Sequence, residues 1–327
     1  MGHRTLRLGF VGSGAWARRY HFPALAYLRD LEGKGFELRL HGITSLDTAG
    51  AQAVAAQVGF DCVYPELDAL LADPALDAIA VAVNPEAARG VLDRVSARGL
   101  PIFSEKPPGT STADAAHLAE RITVPNVLAF NRRYIPLNVR FKALADAMEG
   151  VYYMEAHFLR HRRPDPTFMI GTGIHWINFI EWVLDEIAEV EMERFRDPED
   201  AAWARVGRLR FRSGLRGLLK VLPMTGSDHE RLELHSVGQS LYLEGPLWTN
   251  AGHIVIERGG ERELLLPEEA RGELGDTPLS RGIVGEYQDF FGAVCNGTPT
   301  RSNFQNAVNA MRIAELMEYG GEPQQGT

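Results

Sequence analysis

Cysteine is scarce in this chain, which has only Cys62 and Cys295 among its 327 residues. Two cysteines so far apart predict neither a disulfide framework nor a metal knuckle, so we expect a reducing compartment and no metal site. Long uncharged apolar runs are absent as well, and the N-terminus lacks the apolar region of a signal peptide. We therefore expect a cytoplasmic protein.

Positive charge is also scarce, since the formal net charge is −9. Proteins that bind nucleic acid usually carry a basic field, so this balance favours a small-molecule partner and excludes a nucleic-acid or membrane partner from our expectations. Lysine is the rarest basic residue, because Lys34, Lys106, Lys142 and Lys220 are the four lysines among 34 basic residues. Arginine is therefore strongly preferred over lysine in this chain, and each lysine departs from that preference.

The N-terminal part of the chain alternates short apolar runs with helical patterns. Buried strands are predicted at 6–11, 36–44, 78–83, 101–104 and 127–130, and helices at 16–31, 49–58, 67–71, 86–98 and 112–122. Strands that alternate with helices in this way predict a doubly wound parallel sheet. The fold class is α/β, with a first domain over residues 1–131 that has the Rossmann dinucleotide-binding architecture.

The pattern changes after Asn131, where we predict an α+β domain over residues 132–327. A helix is followed by a strand near 151–159, a buried helix at 174–184 and alternating strands between 190 and 257. Such alternation predicts an open, mainly antiparallel sheet. Helices near 283–295 and 303–319 close the chain, and we expect the tail after Gly320 to be frayed.

A glycine-rich turn, Gly12-Ser13-Gly14-Ala15-Trp16-Ala17, follows the first predicted strand and opens a helix. The first glycine permits the tight turn, the second permits close approach of a ligand, and the small Ala17 lets the helix pack on the strand. Amide groups at the start of that helix would hold a pyrophosphate. A plain turn is the alternative, but the strand, turn and helix together favour a cofactor site formed by Gly12, Ser13, Gly14, Ala15 and Trp16.

The end of the second predicted strand bears on the choice of cofactor. NAD enzymes usually bind the ribose with an Asp or Glu there, but Ser45 occupies that position. A hydroxyl does not repel a 2′-phosphate, although no arginine adjoins it in sequence to bind the phosphate. The cofactor is predicted to be NADP or NAD, with a slight preference for NADP.

Ser104-Glu105-Lys106-Pro107-Pro108 follows another buried strand, at the sheet edge where open α/β sheets bind ligands. Lysine can share in proton transfer, so Lys106 is a candidate catalytic residue; an exposed loop lysine is the alternative. Asn84 lies in the loop after the neighbouring strand. We assign Asn84, Glu105 and Lys106 to the cofactor site as well.

His175 opens the apolar helix at 174–184 and shares one face with Asn178. A histidine in such a helix is often a satisfied core residue. The N-terminus of the helix would keep His175 neutral, as a general base requires, so His175 is the second candidate catalytic residue.

Two basic clusters are candidates for substrate binding. Residues 157–163 include Arg160 and could receive a carboxylate or phosphate, but we favour a solvated loop because charge runs usually face water. Arg132, Arg133 and Tyr134 follow the last strand of the first domain, where substrate contacts are expected, although one arginine could instead tie the domains together. The predicted substrate contacts are Arg132, Tyr134, Asn178 and Arg160.

The chain resembles the Gfo/Idh/MocA family of sugar and cyclitol dehydrogenases along nearly its whole length. The resemblance lies in the glycine turn, His21-Phe22-Pro23-Ala24-Leu25, Glu105-Lys106-Pro107, Asn131-Arg132-Arg133-Tyr134, Gly173-Ile174-His175 and the closing Glu286-Tyr287-Phe290. It implies a hydride transfer between C4 of the nicotinamide and a secondary alcohol or ketone of a sugar, cyclitol or related polar molecule. It also implies that Lys106 orients or relays protons at the reacting carbinol, that His175 is the acid/base, and that the open sheet forms a homodimer or homotetramer.

The chain departs from the family at two positions. Gly171 stands where many members carry an aspartate four residues before the histidine, and the segment 84–88 lacks a histidine that is often present there. A polar substrate contact is therefore missing. The departures leave two alternatives open, namely a dinucleotide-binding ligand sensor without redox activity and an enzyme for a nonsugar substrate such as a tetrapyrrole or dihydrodiol.

Overall fold

The structure is a computed structural model that describes residues 4–33, 35–267 and 276–320. It divides into two compact units. The first unit runs through Ala129 and also includes 277–279 and Ile283–Val308; the second comprises Phe130–Asp276, Ser280–Gly282 and the chain from Asn309. None of the helices in the described ranges is long and apolar enough to cross a membrane. The tail after Gly320 lies outside the described residues.

The first unit is built on a six-stranded parallel sheet with the order β3-β2-β1-β4-β5-β6. This order reverses direction between β1 and β4, which is where open sheets of this type form their ligand crevice. The strands are β1 Arg4–Val11, β2 Phe36–Thr44, β3 Cys62–Val63, β4 Ala78–Val81, β5 Ile102–Ser104 and β6 Asn126–Leu128.

The helices of the first unit pack on both faces of this sheet because its strands are apolar on both sides. They are α1 Phe22–Asp30, which follows a π-helical segment Ala17–His21, then α2 Thr48–Val58, α3 Leu67–Leu71, α4 Pro85–Ser96, α5 Thr112–Arg121 and α8 Ile283–Asn296. Aromatic residues of α8, Tyr287, Phe290 and Phe291, are buried in the same core as Phe10 and Phe103. A late segment of the chain thus completes the first core.

The second unit contains an eight-stranded sheet with the order β14-β13-β12-β11-β7-β10-β9-β8. Its neighbouring strands are antiparallel except for β7 and β10, which are parallel. The strands are β7 Tyr153–Leu159, β8 Ile187–Arg196, β9 Trp203–Phe211, β10 Arg216–Leu222, β11 His229–Ser236, β12 Gln239–Gly245, β13 His253–Arg258 and β14 Glu261–Leu265.

One face of the second sheet packs on helices, as the alternation in β7 shows, where Met154, Ala156 and Phe158 are fully buried. The Trp176 ring stacks near Phe158, with 6.1 Å between ring centroids. The helical elements are a 3₁₀ turn Asn131–Tyr134, α6 Pro136–Asp146, a π-helical segment Met169–Gly173, α7 Ile174–Val183 and α9 Phe304–Tyr319.

The predicted fold class is confirmed, because a parallel doubly wound sheet is followed by a mainly antiparallel one. The elements differ in detail: β4 ends at Val81, β6 covers Asn126–Leu128, and the second sheet extends to Leu265. The predicted boundary after Asn131 assigns Ile283–Val308 to the second domain, whereas this segment groups with the first unit. The reason is the packing of α8 into the first core, which no local sequence pattern reveals.

Candidate functional site

The glycine turn has the geometry that a phosphate-binding turn requires. Gly12 has φ +107°, and a Cβ there would collide with the carbonyl oxygen of Ala82, so the position requires glycine. Apart from its chain neighbours, a Cβ on Gly14 would meet no atom of the described residues within 4 Å, which leaves open space beside the turn. The chain is helical from Ala15 onward. Backbone amides at this helix start and open space beside Gly14 fit an anionic group of a dinucleotide.

Two serines and an arginine meet at the end of β2. The Ser13 hydroxyl donates to Ser45 Oγ at 2.9 Å, and Asp47 caps α2 by accepting from the Gly50 amide. Arg18 reaches this point from the π-helical segment, since its Nε donates to the Ser13 carbonyl at 2.7 Å and its guanidinium lies 3.8 Å from Asp47. An arginine therefore reaches this end of β2 through Ser13, which hydrogen-bonds to Ser45. Arg18 was missed because it lies 27 positions earlier in the sequence.

Asn84, Glu105 and Lys106 lie at the carboxyl ends of β4 and β5, on the edge of the sheet where the glycine turn follows β1. Asn84 is exposed and begins α4, while Glu105 and Lys106 are half-buried. The structure thus brings all the residues predicted for the cofactor site to one sheet edge within the first unit. Whether each contacts a cofactor stays a prediction.

The Glu105 carboxylate accepts three hydrogen bonds from N–H groups. Trp16 Nε1 donates to Oε1 at 2.9 Å, His21 Nε2 lies 2.8 Å from the same oxygen, and the Lys106 amide donates to Oε2 at 3.1 Å. Burial acts to raise the pKa of Glu105, but the hydrogen bond from His21 and the nearby positive charges outweigh it and hold the pKa below its usual value. Glu105 is therefore an ionised carboxylate.

His21, Tyr287 and Glu286 belong to this site, although the sequence analysis gave none of them a role. His21 is fully buried, and its Nδ1 lies 2.9 Å from the Tyr287 hydroxyl. Glu286 is also fully buried, and neither of its carboxyl oxygens has a hydrogen-bond partner among residues 4–33, 35–267 and 276–320. Burial and the charge of Glu105 raise the pKa of Glu286 well above its usual value, so Glu286 is a neutral acid. Glu286 and Tyr287 were quoted only as part of a family motif, which was the available signal.

His175 lies in the second unit, half-buried in α7, with the Phe130 ring edge-to-face at 6.2 Å between centroids. The π-helical segment Met169–Gly173 runs directly into α7, so the helix begins before His175. The expectation that the helix N-terminus keeps His175 neutral is therefore wrong, because that effect is confined to the first turn. π-helical segments often mark functional sites, and the two in the described part of the chain precede or include a candidate residue.

Asn178 is fully buried one turn after His175, and its Oδ1 accepts from Arg133 Nε at 2.7 Å. Arg133 is buried as well, and burial lowers its pKa to about 10. Tyr134, next in the chain, is 6% exposed. Asn178 thus holds Arg133 in place within the second unit, and substrate contact by Asn178 or Tyr134 stays a prediction.

Arg132 and Arg160 converge on Glu230, which is fully buried on β11. Arg132 Nε donates to Glu230 Oε2 at 3.2 Å, and both guanidinium groups also contact Glu230 Oε1. Arg160 is 4% exposed and lies over the rings of Phe158 and Trp248 at 3.8 and 4.6 Å. The interpretation of this arginine as part of a solvated loop is wrong, because Glu230 and the two rings bury it. Two guanidinium groups share one carboxylate, so this buried cluster carries a net positive charge.

A possible cation-binding group occurs on the second sheet, where ligand atoms of Glu155, His157 and Glu233 lie within 4.8 Å of one another. Arg231 Nε already lies 2.8 Å from Glu233, and burial lowers the pKa of His157. The arginine competes with a metal ion for the carboxylate. The expectation that the protein has no metal site stays a prediction.

Known proteins resemble this chain in both sequence and structure. Residues 6–130 match the model of an oxidoreductase family with an NAD-binding Rossmann fold. An inositol 2-dehydrogenase from Acidothermus cellulolyticus is 26% identical over 200 residues, which cover 57% of this chain and 56% of that protein. The rhizopine catabolism protein MocA of Rhizobium meliloti is 23% identical over 94% of this chain and 93% of that protein.

The fold is shared with solved structures as well. A levoglucosan dehydrogenase in complex with NADH and levoglucosan superposes with a TM-score of 0.81 over 97% of each chain, at 16% identity. The match to the inositol dehydrogenase spans only about half of that protein, so its activity is not transferred by identity alone. The predicted resemblance to the Gfo/Idh/MocA family is confirmed by the match of residues 6–130 to the family's NAD-binding Rossmann model and by the similarity to MocA along most of the chain.

Proposed function

We propose that this protein is a nicotinamide-dependent dehydrogenase or reductase that acts on a secondary alcohol or ketone. The observation that carries the proposal is the hydrogen bond from Trp16 of the glycine turn to Glu105, whose neighbour is Lys106. This hydrogen bond joins the glycine turn, which fits a dinucleotide, to the segment that carries Lys106. Both lie in the first unit. A protein that binds the cofactor without using it has no need of that lysine.

The chain's own residues supply binding, orientation and charge. Gly12, Ser13 and Gly14 shape the turn that would hold the pyrophosphate, and Asn84 and Glu105 line the same sheet edge. When bound, the nicotinamide supplies or accepts the hydride at its C4 position. Lys106 places a positive charge at the reacting oxygen, where negative charge develops during transfer, and His175 exchanges the hydroxyl proton.

Arg18 favours NADP over NAD in this proposal. Ser45 offers no carboxylate to the ribose, and Arg18 supplies a guanidinium beside Ser13 and Ser45. Arginine recognises phosphate through several N–H donors, so a 2′-phosphate fits here. Asp47, 3.8 Å from Arg18, partly offsets the charge, which makes the preference a slight one.

The substrate class is a sugar, a cyclitol or a related polar molecule. Relatives named as inositol and levoglucosan dehydrogenases support this class. Within the second unit, the net positive charge of Arg132 and Arg160 around Glu230 favours a polar or anionic substrate group. Tyr134 and Asn178 complete the proposed substrate contacts.

The test is a screen of polyols and sugars with NAD and NADP, followed by absorbance of the reduced nicotinamide. For a substrate that turns over, Lys106→Met should lower kcat at least about a hundredfold while the cofactor Kd changes little, because the lysine acts on the transition state. Arg19→Met, an exposed cation of the first unit, is the control. A fully active Lys106→Met variant would contradict the role of the lysine.

A ligand sensor without redox activity is the second candidate, and Gly171 motivates it. The glycine is half-exposed in the π-helical segment before His175, and it leaves no side chain where many family members carry an aspartate. Two results together would favour this candidate. The protein would bind the cofactor but turn over no polyol, and adding a polyol would change the cofactor Kd.

We also propose that the protein is a homodimer or homotetramer formed through its eight-stranded sheet. Light scattering coupled to gel filtration gives the mass directly. A monomer at micromolar concentration would contradict this proposal.

A further inference from the structure

Four side chains form a hydrogen-bond chain in the first unit, which runs from the fully buried Tyr287 and His21 to the exposed Trp16. Tyr287 Oη lies 2.9 Å from His21 Nδ1, His21 Nε2 lies 2.8 Å from Glu105 Oε1, and Trp16 Nε1 lies 2.9 Å from the same oxygen. The members come from the glycine turn, the π-helical segment, the end of β5 and α8. The chain ends at Lys106, whose amide donates to the other oxygen of Glu105.

The direction of these hydrogen bonds follows from the charge of Glu105. An ionised carboxylate only accepts, so His21 must carry a proton on Nε2. If the imidazole is neutral, Nδ1 accepts from the Tyr287 hydroxyl; if it is protonated, Nδ1 donates to the same oxygen, and in both cases the ring is held between Tyr287 and Glu105. Each member therefore fixes the next: Tyr287 orients the histidine, and the histidine orients the carboxylate.

A second carboxyl group lies close enough to interact electrostatically with Glu105 and Lys106. Glu286 precedes Tyr287 in α8, is fully buried, and has no hydrogen-bond partner in the described part of the chain. With no donor to stabilise its ionised form, Glu286 stays protonated while Glu105 keeps the negative charge. The negative charge of Asp289, in the same helix, also raises the pKa of Glu286, as the charge of Glu105 does. The two glutamates thus have different charge states, and Glu105 is the ionised one that is joined to Lys106.

We propose that His21 and Tyr287 are positioning residues for Lys106, and that they act through Glu105. The importance of Lys106 rests on the proposed function, but the positioning itself is a property of the first unit. Tyr287 and His21 hold the Glu105 carboxylate, which fixes the Lys106 backbone through its amide and favours the ammonium form of its side chain. Trp16 brings the glycine turn into the same arrangement, so the turn and the lysine are held together.

The test measures the ammonium group of Lys106 directly, without substrate or cofactor. The full-length protein is trace-labelled with acetic anhydride at a series of pH values, then fully labelled with the heavy isotope after denaturation. Mass spectrometry gives the reactivity of each lysine. Lys142 and Lys220, both in the second unit, are internal references in the same sample.

Five variants separate positioning from packing. Glu105→Gln removes the charge, Tyr287→Phe removes one hydroxyl, and the pair His21→Gln and His21→Leu tests rescue, because the Gln amide can still donate to Glu105. Tyr27→Phe removes the hydroxyl of an exposed tyrosine of α1 and is the matched control. Circular dichroism and thermal unfolding identify any variant that fails to fold.

The expected results follow from the electrostatics. In Glu105→Gln, the apparent pKa of Lys106 falls by about 1, so its reactivity at neutral pH rises roughly tenfold. Tyr287→Phe and His21→Leu shift it in the same direction by about 0.3 to 0.5, because the carboxylate is less firmly held, and His21→Gln lies closer to wild type. Tyr27→Phe, Lys142 and Lys220 show no change.

Two results would overturn the inference. An unchanged Lys106 pKa in folded Glu105→Gln protein means that the carboxylate does not act on the lysine. A shift in Glu105→Gln with none in folded Tyr287→Phe and His21→Leu means that the histidine and tyrosine serve core packing alone. Since no turnover is measured, either outcome is independent of whether the protein proves to be a dehydrogenase.

Discussion

Replacing Arg18 by glutamine should reduce the affinity for NADPH much more than that for NADH. The Arg18 guanidinium lies beside Ser13 and 3.8 Å from Asp47, at the end of β2 where the adenine ribose is expected. A 2′-phosphate there accepts charge-assisted hydrogen bonds from the guanidinium, whereas the 2′-hydroxyl of NADH offers no charge. The variant therefore separates the two cofactors.

The size of the effect follows from the exposure of the arginine, whose side chain is 40% exposed. A charge-assisted hydrogen bond contributes about 1.5–3 kcal/mol when well formed, and exposure reduces this to about 1–2 kcal/mol. The Kd for NADPH should rise roughly 5- to 30-fold, since about 1.4 kcal/mol corresponds to a factor of ten. The Kd for NADH should change less than about twofold.

The assay is a fluorescence titration with each reduced cofactor at low and high salt. Arg19→Gln, which removes the same charge from the neighbouring exposed position, is the control and should leave both affinities unchanged. The difference between cofactors should shrink as salt rises, because exposed charges are screened. Equal loss of NADH and NADPH affinity in Arg18→Gln would refute the assignment, as would an equal effect of Arg19→Gln.

Two further predictions concern stability. Gly12→Ala should lower the free energy of unfolding by at least about 1–3 kcal/mol, since its φ is +107° and its Cβ would collide with Ala82, whereas Gly14→Ala should change it by less than about 1 kcal/mol. Denaturant unfolding of both variants compares them, and equal costs would contradict the assigned turn geometry. Burial raises the pKa of Glu181 from 4.5 to about 7. The free energy of unfolding should therefore fall as pH rises through that interval, because Glu181 ionises more readily in the unfolded chain than in the folded protein. Glu181→Gln should gain stability over wild type by on the order of 1–3 kcal/mol between those pH values, measured by unfolding, and a constant difference would contradict the raised pKa.

Local patterns were enough to predict the first domain and its glycine turn. Apolar runs alternate with helical periods there, and a parallel strand buried on both faces is recognisable from its composition alone. The position of Lys106 at the edge of the sheet followed from the same reasoning, because it comes directly after a buried strand. β4 ends at Val81, two residues before the predicted end at residue 83, because the apolar run continues beyond the hydrogen-bonded strand.

The partners of the site residues were not predictable in the same way. His21 and Glu105 are 84 positions apart, and His21 and Tyr287 are 266 apart, so no local period joins them. The same holds for Arg132 and Arg160, which meet at Glu230 across 98 and 70 positions and are buried by it. Runs of charged residues usually face water, but Arg160 is buried because it shares the Glu230 carboxylate with Arg132.

The π-helical segments were missed for another reason. Their sequences, Ala17–His21 and Met169–Gly173, fit an ordinary helix or a glycine-rich turn equally well. Only the backbone shows that the second segment is continuous with α7, which moves the helix N-terminus away from His175. The charge at the helix N-terminus therefore acts on residues before His175 and not on His175 itself.

Cofactor binding at the glycine turn is tested by titrating wild-type protein and Gly14→Asp with NADPH and NADH. The substitution places a carboxylate in the open space beside the turn, where no atom of the described residues other than its chain neighbours lies within 4 Å of the new Cβ, so folding should be preserved. Wild-type protein should bind at least one cofactor with micromolar affinity, and a folded Gly14→Asp variant should lose that binding. Binding of neither cofactor to wild type, or equal binding to both proteins, would contradict this prediction.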